Sequence, residues 1–298
     1  SGNLSERRPS VTNLLDEYSR WSLALGCAIM LREHHPRAMS ETNFIKFLGT
    51  AGARFAVTKQ IRASGGVWFC MDGIPFVVDP GPGALVRALA SKPKLDPSKL
   101  EAILLSHLHI DHTNDVNILI EAMTDGGFRR RGKLFAPRDA LEQAVLPYAR
   151  KYVSELHPLE EGGAYNIAAG LRFQTPLKLQ HGPETHGFVF RARHYTVAYI
   201  VDTLFFPELE RAYRGDVLIL NVVRLKASEK EQGEPTIKHL TLDDARTLIS
   251  AIRPKTAILT HFGMTMIRAK PRELAAKLSH ELGTEVIAAS DGLRFELE

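Results

Sequence analysis

Three imidazoles and a carboxylate stand within residues 107–112: His107, His109, Asp111 and His112 in Ser106-His107-Leu108-His109-Ile110-Asp111-His112. So many polar groups are costly to pack together unless something binds them. The run directly follows Ala102-Ile103-Leu104-Leu105, an apolar segment that reads as a buried strand. A polar cluster that begins where a strand ends lies where α/β folds place their chemistry. The bland alternative is a solvated His-rich loop, but such a loop has no reason to sit behind a buried strand.

The spacing carries further information. On a helix His107 and His109 would point in different directions, whereas on an extended segment they project from one side. Asp111 and His112 follow without a gap, so a turn can aim them at a second point. One loop thus offers two ligands to each of two nearby metals. Imidazole and carboxylate suit zinc, and also manganese or iron.

Three later polar residues also close apolar runs. His181 follows Leu177-Lys178-Leu179-Gln180, Asp202 follows Val197-Ala198-Tyr199-Ile200-Val201, and His261 follows Ala257-Ile258-Leu259-Thr260. Alone, each is an ordinary strand-end residue. Upstream, Phe76-Val77-Val78-Asp79-Pro80-Gly81-Pro82-Gly83 and Phe44-Ile45-Lys46-Phe47-Leu48-Gly49-Thr50-Ala51-Gly52 join a strand pattern to a glycine-rich turn. Together these features resemble the metallo-β-lactamase fold, with its His-x-His-x-Asp-His signature and later His, Asp and His at strand ends. The match runs from about residue 44 to the C-terminus. It implies an α/β (α+β) fold, a four-layer αββα sandwich with two sheets face to face and helices outside.

The resemblance also implies a dinuclear centre. One site takes His107, His109 and His181, the other takes Asp111, His112 and His261, and Asp202 bridges them. Two divalent ions about 3.5–4 Å apart hold one hydroxide and clamp a phosphoryl or acyl oxygen. Zinc is the first expectation, with manganese or iron as alternatives. Asp111 is expected to hold the attacking water as well as a metal. Asp79 is expected to support the His loop by accepting hydrogen bonds. His186 competes with His181 as a ligand, but Gly187-Phe188 resembles the Gly-aromatic pair that follows the ligand in phosphodiesterase-like relatives, which favours His181. His157 and His194 read as incidental. His239 precedes a helix that Thr241 is expected to cap, with Asp244 three residues on. Ribonuclease Z-like and cyclic phosphodiesterase-like members carry a His near this point. His239 is therefore expected to contact the scissile phosphate or protonate the leaving group.

Composition sets limits. A chain of 298 residues, 44% of them apolar, is ordinary for a globular protein. Cys27 and Cys70 are its only cysteines and neither is in a ligand position, so a reduced, cytoplasmic setting is expected. No apolar run reaches membrane-spanning length. Residues 21–31 are apolar but short and flanked by charge, unlike a signal peptide. The net charge of +4 weakly favours an anionic substrate.

Residues 1–40 read as an N-terminal helical extension and residues 41–298 as one hydrolase domain. Ser10 or Thr12 caps the expected helix, which runs through Leu14, Tyr18, Leu23 and Ala28 to about Arg32. Ser1-Gly2 resembles a cloning remnant and Met39 a natural start, so this helix is either a true addition or a product of the chosen start. Strands are expected at 44–48, 67–71, 74–79, 101–105, 171–180, 187–193, 195–201, 216–221, 256–260, 285–289 and 292–297. Helices are expected at 115–123 with Asn114 as cap, at 137–156 with a kink or break at Pro147, at 241–252 and at 271–282. Residues 226–234 read as a charged loop.

Fold and metals do not fix the substrate. A phosphodiesterase is the first expectation, on the Gly-Thr-Ala-Gly turn at 49–52, His239 and the Asp/His set. A tRNA-processing member would carry a long Gly/Pro-rich arm, which the sequence lacks, and Arg129-Arg130-Arg131 is only a short basic stretch. A small or cyclic phosphodiester is therefore favoured over nucleic acid. Lactone, thioester or carboxylic ester hydrolysis is the alternative, and a non-hydrolytic metal sensor or redox protein the third reading. The fold also allows a homodimer.

Overall fold

The computed structural model describes residues 43–227 and 237–297. The expected N-terminal helix and most of the charged 226–234 loop lie outside the described residues.

Alternation sorts the first strands into two faces. In β1 (Phe44–Phe47), β2 (Val67–Met71) and β3 (Ile74–Val78), the residues Ile45, Phe47, Val67, Phe69, Phe76 and Val78 face one core. Phe44, Trp68 and Val77 face another. β2 and β3 form a hairpin across Asp72-Gly73, whose φ values of 51° and 75° suit a two-residue type I′ turn. β4 (Ala102–Leu104), β5 (Lys133–Ala136) and β6 (Glu155–Pro158) add in parallel. With β15 (Arg294–Glu296) at the far edge, the sheet order is β15-β1-β2-β3-β4-β5-β6.

The second sheet contains β7 (Gly163–Ala168), β8 (Leu171–Thr175), β9 (Phe188–Arg191), β10 (Thr196–Ile200), β11 (Val217–Arg224), β13 (Thr256–Thr260) and β14 (Glu285–Ala288). Its order is β14-β13-β11-β10-β9-β8-β7, and the short β12 (Leu240–Thr241) pairs with β11. The sheets pack face to face: Phe69 and Phe76 meet Phe190 at 5.3 and 5.0 Å between ring centres. Helices Ala84–Ala90, Val116–Met123 and Arg138–Gln143 pack Ala88, Leu119, Ile120 and Leu141 on Val77 and Ile103, outside the first sheet. Helices Leu242–Ile252 and Pro271–Leu282 close the second sheet with Leu248, Ile249 and Leu278. Each large apolar side chain buried this way contributes about 1.5–3 kcal/mol. The four layers are those expected from the resemblance.

Three local expectations need correction. The helix expected over 137–156 is helical only at Arg138–Gln143, followed by a 3-10 turn at Ala149–Lys151 and then β6. Pro147 has no N–H for a helical bond, and β6 completes a parallel ladder on β5 instead. The strand expected over 171–180 stops at Thr175, because Pro176 cannot donate to a ladder. Asn114 does not cap the helix Val116–Met123; it ends the short helix Ile110–Thr113, and Asp115 takes the N-cap position. Among the described residues no helix is long and apolar enough to cross a membrane.

Candidate metal centre

Strand ends converge on one point. β3 delivers Asp79, β4 leads into residues 106–112, β10 into Asp202 and β13 into His261. His181 arrives on the connection between β8 and β9, and His239 immediately precedes β12. Asp79 and His261 have φ of 53° and 58°, a left-handed conformation that non-glycine residues rarely adopt. Such strain persists only where neighbouring contacts over-determine a residue. For Asp79 the contacts are hydrogen bonds from Ser106 N and Oγ, both 2.6 Å, and from His112 Nδ1 at 2.9 Å. This is the supporting role expected of it. A Cβ on Gly81 would stand 2.0 Å from the Asp111 carbonyl, and one on Gly52 would stand 2.3 Å from that of His261. The two glycine-rich turns therefore press directly on segments that carry the cluster.

The structure brings all seven expected ligands together. His109 Nδ1 lies 3.1 Å from both His107 Nε2 and His181 Nε2. A tetrahedral zinc with bonds of about 2.0–2.1 Å holds its nitrogen ligands about 3.3–3.4 Å apart, so this spacing fits a bound ion. Beside this triad, Asp111 Oδ2 is 3.7 Å from His112 Nε2 and 3.7 Å from His261 Nε2. Asp202 stands between the triads. Its Oδ2 is 3.9 Å from His107 Nε2 and from His181 Nε2, and 3.5 Å from His112 Nε2. Its Oδ1 is 3.3 Å from His261 Nε2. Buried Nε2 atoms of His112 and His261 and Nδ1 of His239 make no hydrogen bond. Buried polar atoms seldom lack partners; lone pairs turned on shared carboxylates fit cations between them.

The electrostatics point the same way. Burial, reinforced by neighbouring imidazoles, holds His107 well below the ordinary imidazole value, and burial lowers His109 and His181. Burial opposes charge on His112 too, but Asp79 and Asp111 outweigh it and raise that ring well above its usual value. Burial works against the Asp202 carboxylate, yet the facing His261 and His239 rings hold it well below the usual carboxylate range. The result is a buried anion beside His107, His109 and His181 rings that favour the neutral form metal ligands need, whereas the carboxylates around His112 favour its protonated form. Replacing Asp79 by Ala should lower metal affinity about 10–100-fold, the usual loss for a supporting carboxylate. It also orphans buried donors at about 1–3 kcal/mol each. Calorimetric metal titration and the melting temperature of metal-free protein measure the two effects.

The remaining histidines separate clearly. His239 Nδ1 lies 3.5 Å from Asp202 Oδ2, and burial lowers its pKa to about 4. Thr241 and Asp244 form the expected capping box, which fixes the chain just after His239. His186 is buried but stays out of the cluster: its N donates to the Ser106 carbonyl at 3.0 Å and its Nε2 lies 3.2 Å from Glu184 Oε1. His157 stacks on Phe135 and His194 is exposed. The arginine run is largely structural. Arg131 donates to the Ser98 and Met123 carbonyls and pairs with Glu101, and Arg130 donates to the Val153 carbonyl.

Sequence reasoning missed three supports. His181 Nδ1 donates to the Lys238 carbonyl at 2.8 Å, which turns Nε2 toward the centre. From the neighbouring strand Asn221 donates to Asp202, and Tyr199 in turn donates to Asn221. Asn221 was discoverable as the lone polar residue in Val217-Leu218-Ile219-Leu220-Asn221-Val222-Val223.

Comparison with known proteins gives a consistent picture. A family model described as a beta-lactamase superfamily domain matches residues 75–262. The uncharacterized protein MJ1374 of Methanocaldococcus jannaschii is 32% identical over 266 residues, which cover 85% of this chain and 94% of that protein. The metallo-beta-lactamase fold protein YhfI from Bacillus subtilis superposes with a TM-score of 0.69 at 18% identity, covering 86% of this chain and 100% of that one. A diphosphatase of the PhnP family superposes with a TM-score of 0.61 at 25% identity, covering 86% of this chain and 98% of that one.

Proposed function

Since the chain belongs to the beta-lactamase superfamily, we propose that it is a dinuclear metal-dependent hydrolase of a small or cyclic phosphodiester. His107, His109 and His181 are assigned to one ion, Asp111, His112 and His261 to the other, and Asp202 to both. Bound there, the ions would polarise a phosphoryl oxygen and lower the pKa of a water from 15.7 toward about 7. Zinc is the first choice of metal on the ligand chemistry.

The observation that carries the phosphodiester reading is His239. Its ring adjoins Asp202 yet belongs to neither triad. Nδ1 faces Asp202, and Nε2 is the nitrogen assigned to contact the scissile phosphate or to protonate the leaving oxygen. Asp111, partly exposed at the second triad, is assigned to orient the attacking water. The relative at 25% identity is a diphosphatase, which supports phosphate chemistry. The commitment of Arg130 and Arg131 to backbone carbonyls favours a small anion over nucleic acid. The cysteine pattern supports a reducing, cytoplasmic setting.

Metal-loaded protein offered bis(p-nitrophenyl) phosphate and a panel of lactones and thioesters tests the reading. Turnover of the phosphodiester is expected. Rapid lactone or thioester cleavage without any phosphodiester turnover would overturn it.

A further inference from the structure

Asp202 faces both triads, so the rotation of its carboxylate decides where its charge points. Two buried neighbours control that rotation. Asn221 in β11 donates from Nδ2 to Asp202 Oδ1 at 2.9 Å. Tyr199 in β10 donates its hydroxyl hydrogen to Asn221 Oδ1 at 3.2 Å. The parallel register that sets Ile200 beside Leu220 brings Asn221 next to the end of β10. Asn221 is only 1% exposed and Tyr199 3%.

The chain of donors has one workable direction. A carboxylate only accepts, so the amide must offer it nitrogen, and the phenol must then give its hydrogen to the amide oxygen. Flipping the amide would set oxygen against carboxylate. With Oδ1 occupied, Oδ2 is left 3.5–3.9 Å from His107, His112, His181 and His239 nitrogens. An apolar residue at 221 would serve the strand better, because a buried amide is costly unless bonded. An aspartate there would repel Asp202.

We propose that Asn221, oriented by Tyr199, is a positioning residue that locks the Asp202 carboxylate with Oδ2 turned to nitrogens of both triads. This rests on the two-ion reading above. The test is to titrate wild-type protein, Asn221→Ala, Asn221→Asp and Tyr199→Phe with Mn(II). Calorimetry gives stoichiometry and affinity, and electron paramagnetic resonance gives the magnetic coupling between ions.

Wild type should bind two ions with a coupled spectrum. Both Asn221 variants should bind the second ion about 10–100-fold more weakly, the range for lost supporting groups, and show isolated-ion spectra. The isosteric aspartate keeps the shape while replacing the donor by a repelling oxygen. Tyr199→Phe, which keeps the ring, should weaken the second ion several-fold. Wild-type affinity and coupling in the Asn221 variants would overturn the proposal. If those variants do not fold, unchanged behaviour of Tyr199→Phe overturns it. Wild type that binds fewer than two ions would instead overturn the two-ion reading.

Discussion

Replacing Asp202 by Ala should remove metal and hydrolysis together, with turnover falling by more than the roughly 100-fold typical of a lost supporting group. The reason is its position. Its two oxygens lie within 3.3–3.9 Å of nitrogens from both triads and from His239. Among the described residues no other carboxylate lies within 4.0 Å of nitrogens from both triads: Asp111 comes that close to His112 and His261, and Asp79 is held by Ser106 and His112. The substitution also leaves the Asn221 amide buried without its acceptor, at about 1–3 kcal/mol. For a domain of this size each kcal/mol moves the melting temperature by about 2–4 °C. Metal content after dialysis, turnover and melting temperature are the measurements. A folded Asp202→Ala protein with full activity would remove Asp202 from the centre.

Replacing His239 by Ala should give the second-largest effect and a different pattern. Turnover should fall by about 10²–10⁴, the range for a lost general acid or base, while metal content stays at the wild-type level. The geometry makes this a sharp test. His181, Asp202 and His239 also form a group close enough to hold an ion. Loss of metal along with activity would make His239 a ligand and leave the leaving group without its assigned donor. Retained turnover would detach His239 from the chemistry altogether.

These residues stood out in the sequence for a physical reason. Each of His107, Asp202 and His261 lies just beyond an apolar strand, and parallel strands gather their carboxyl ends at one edge. The order and type of these residues carry the resemblance to the metallo-β-lactamase fold, and that resemblance implied which side chains meet. The choice between His181 and His186 depended on a loop path that periodicity does not report. The structure turns the first ring into the cluster and anchors the second behind Ser106. Asn221 and Tyr199 were hidden by lateral register: they read as strand residues until β10 and β11 are placed side by side. The over-long helix at 137–156 failed because a helical apolar pattern says nothing about the ladder that β5 offers to β6. Strands of four residues such as β5 are too short for alternation to register.

The most direct test of a two-ion phosphodiesterase is the rate of bis(p-nitrophenyl) phosphate hydrolysis as zinc is titrated into chelator-stripped protein. The rate should rise from near zero and level off at about two equivalents per chain, as a two-metal site requires. A rate that saturates at one equivalent, or no hydrolysis at any zinc ratio, would contradict the account.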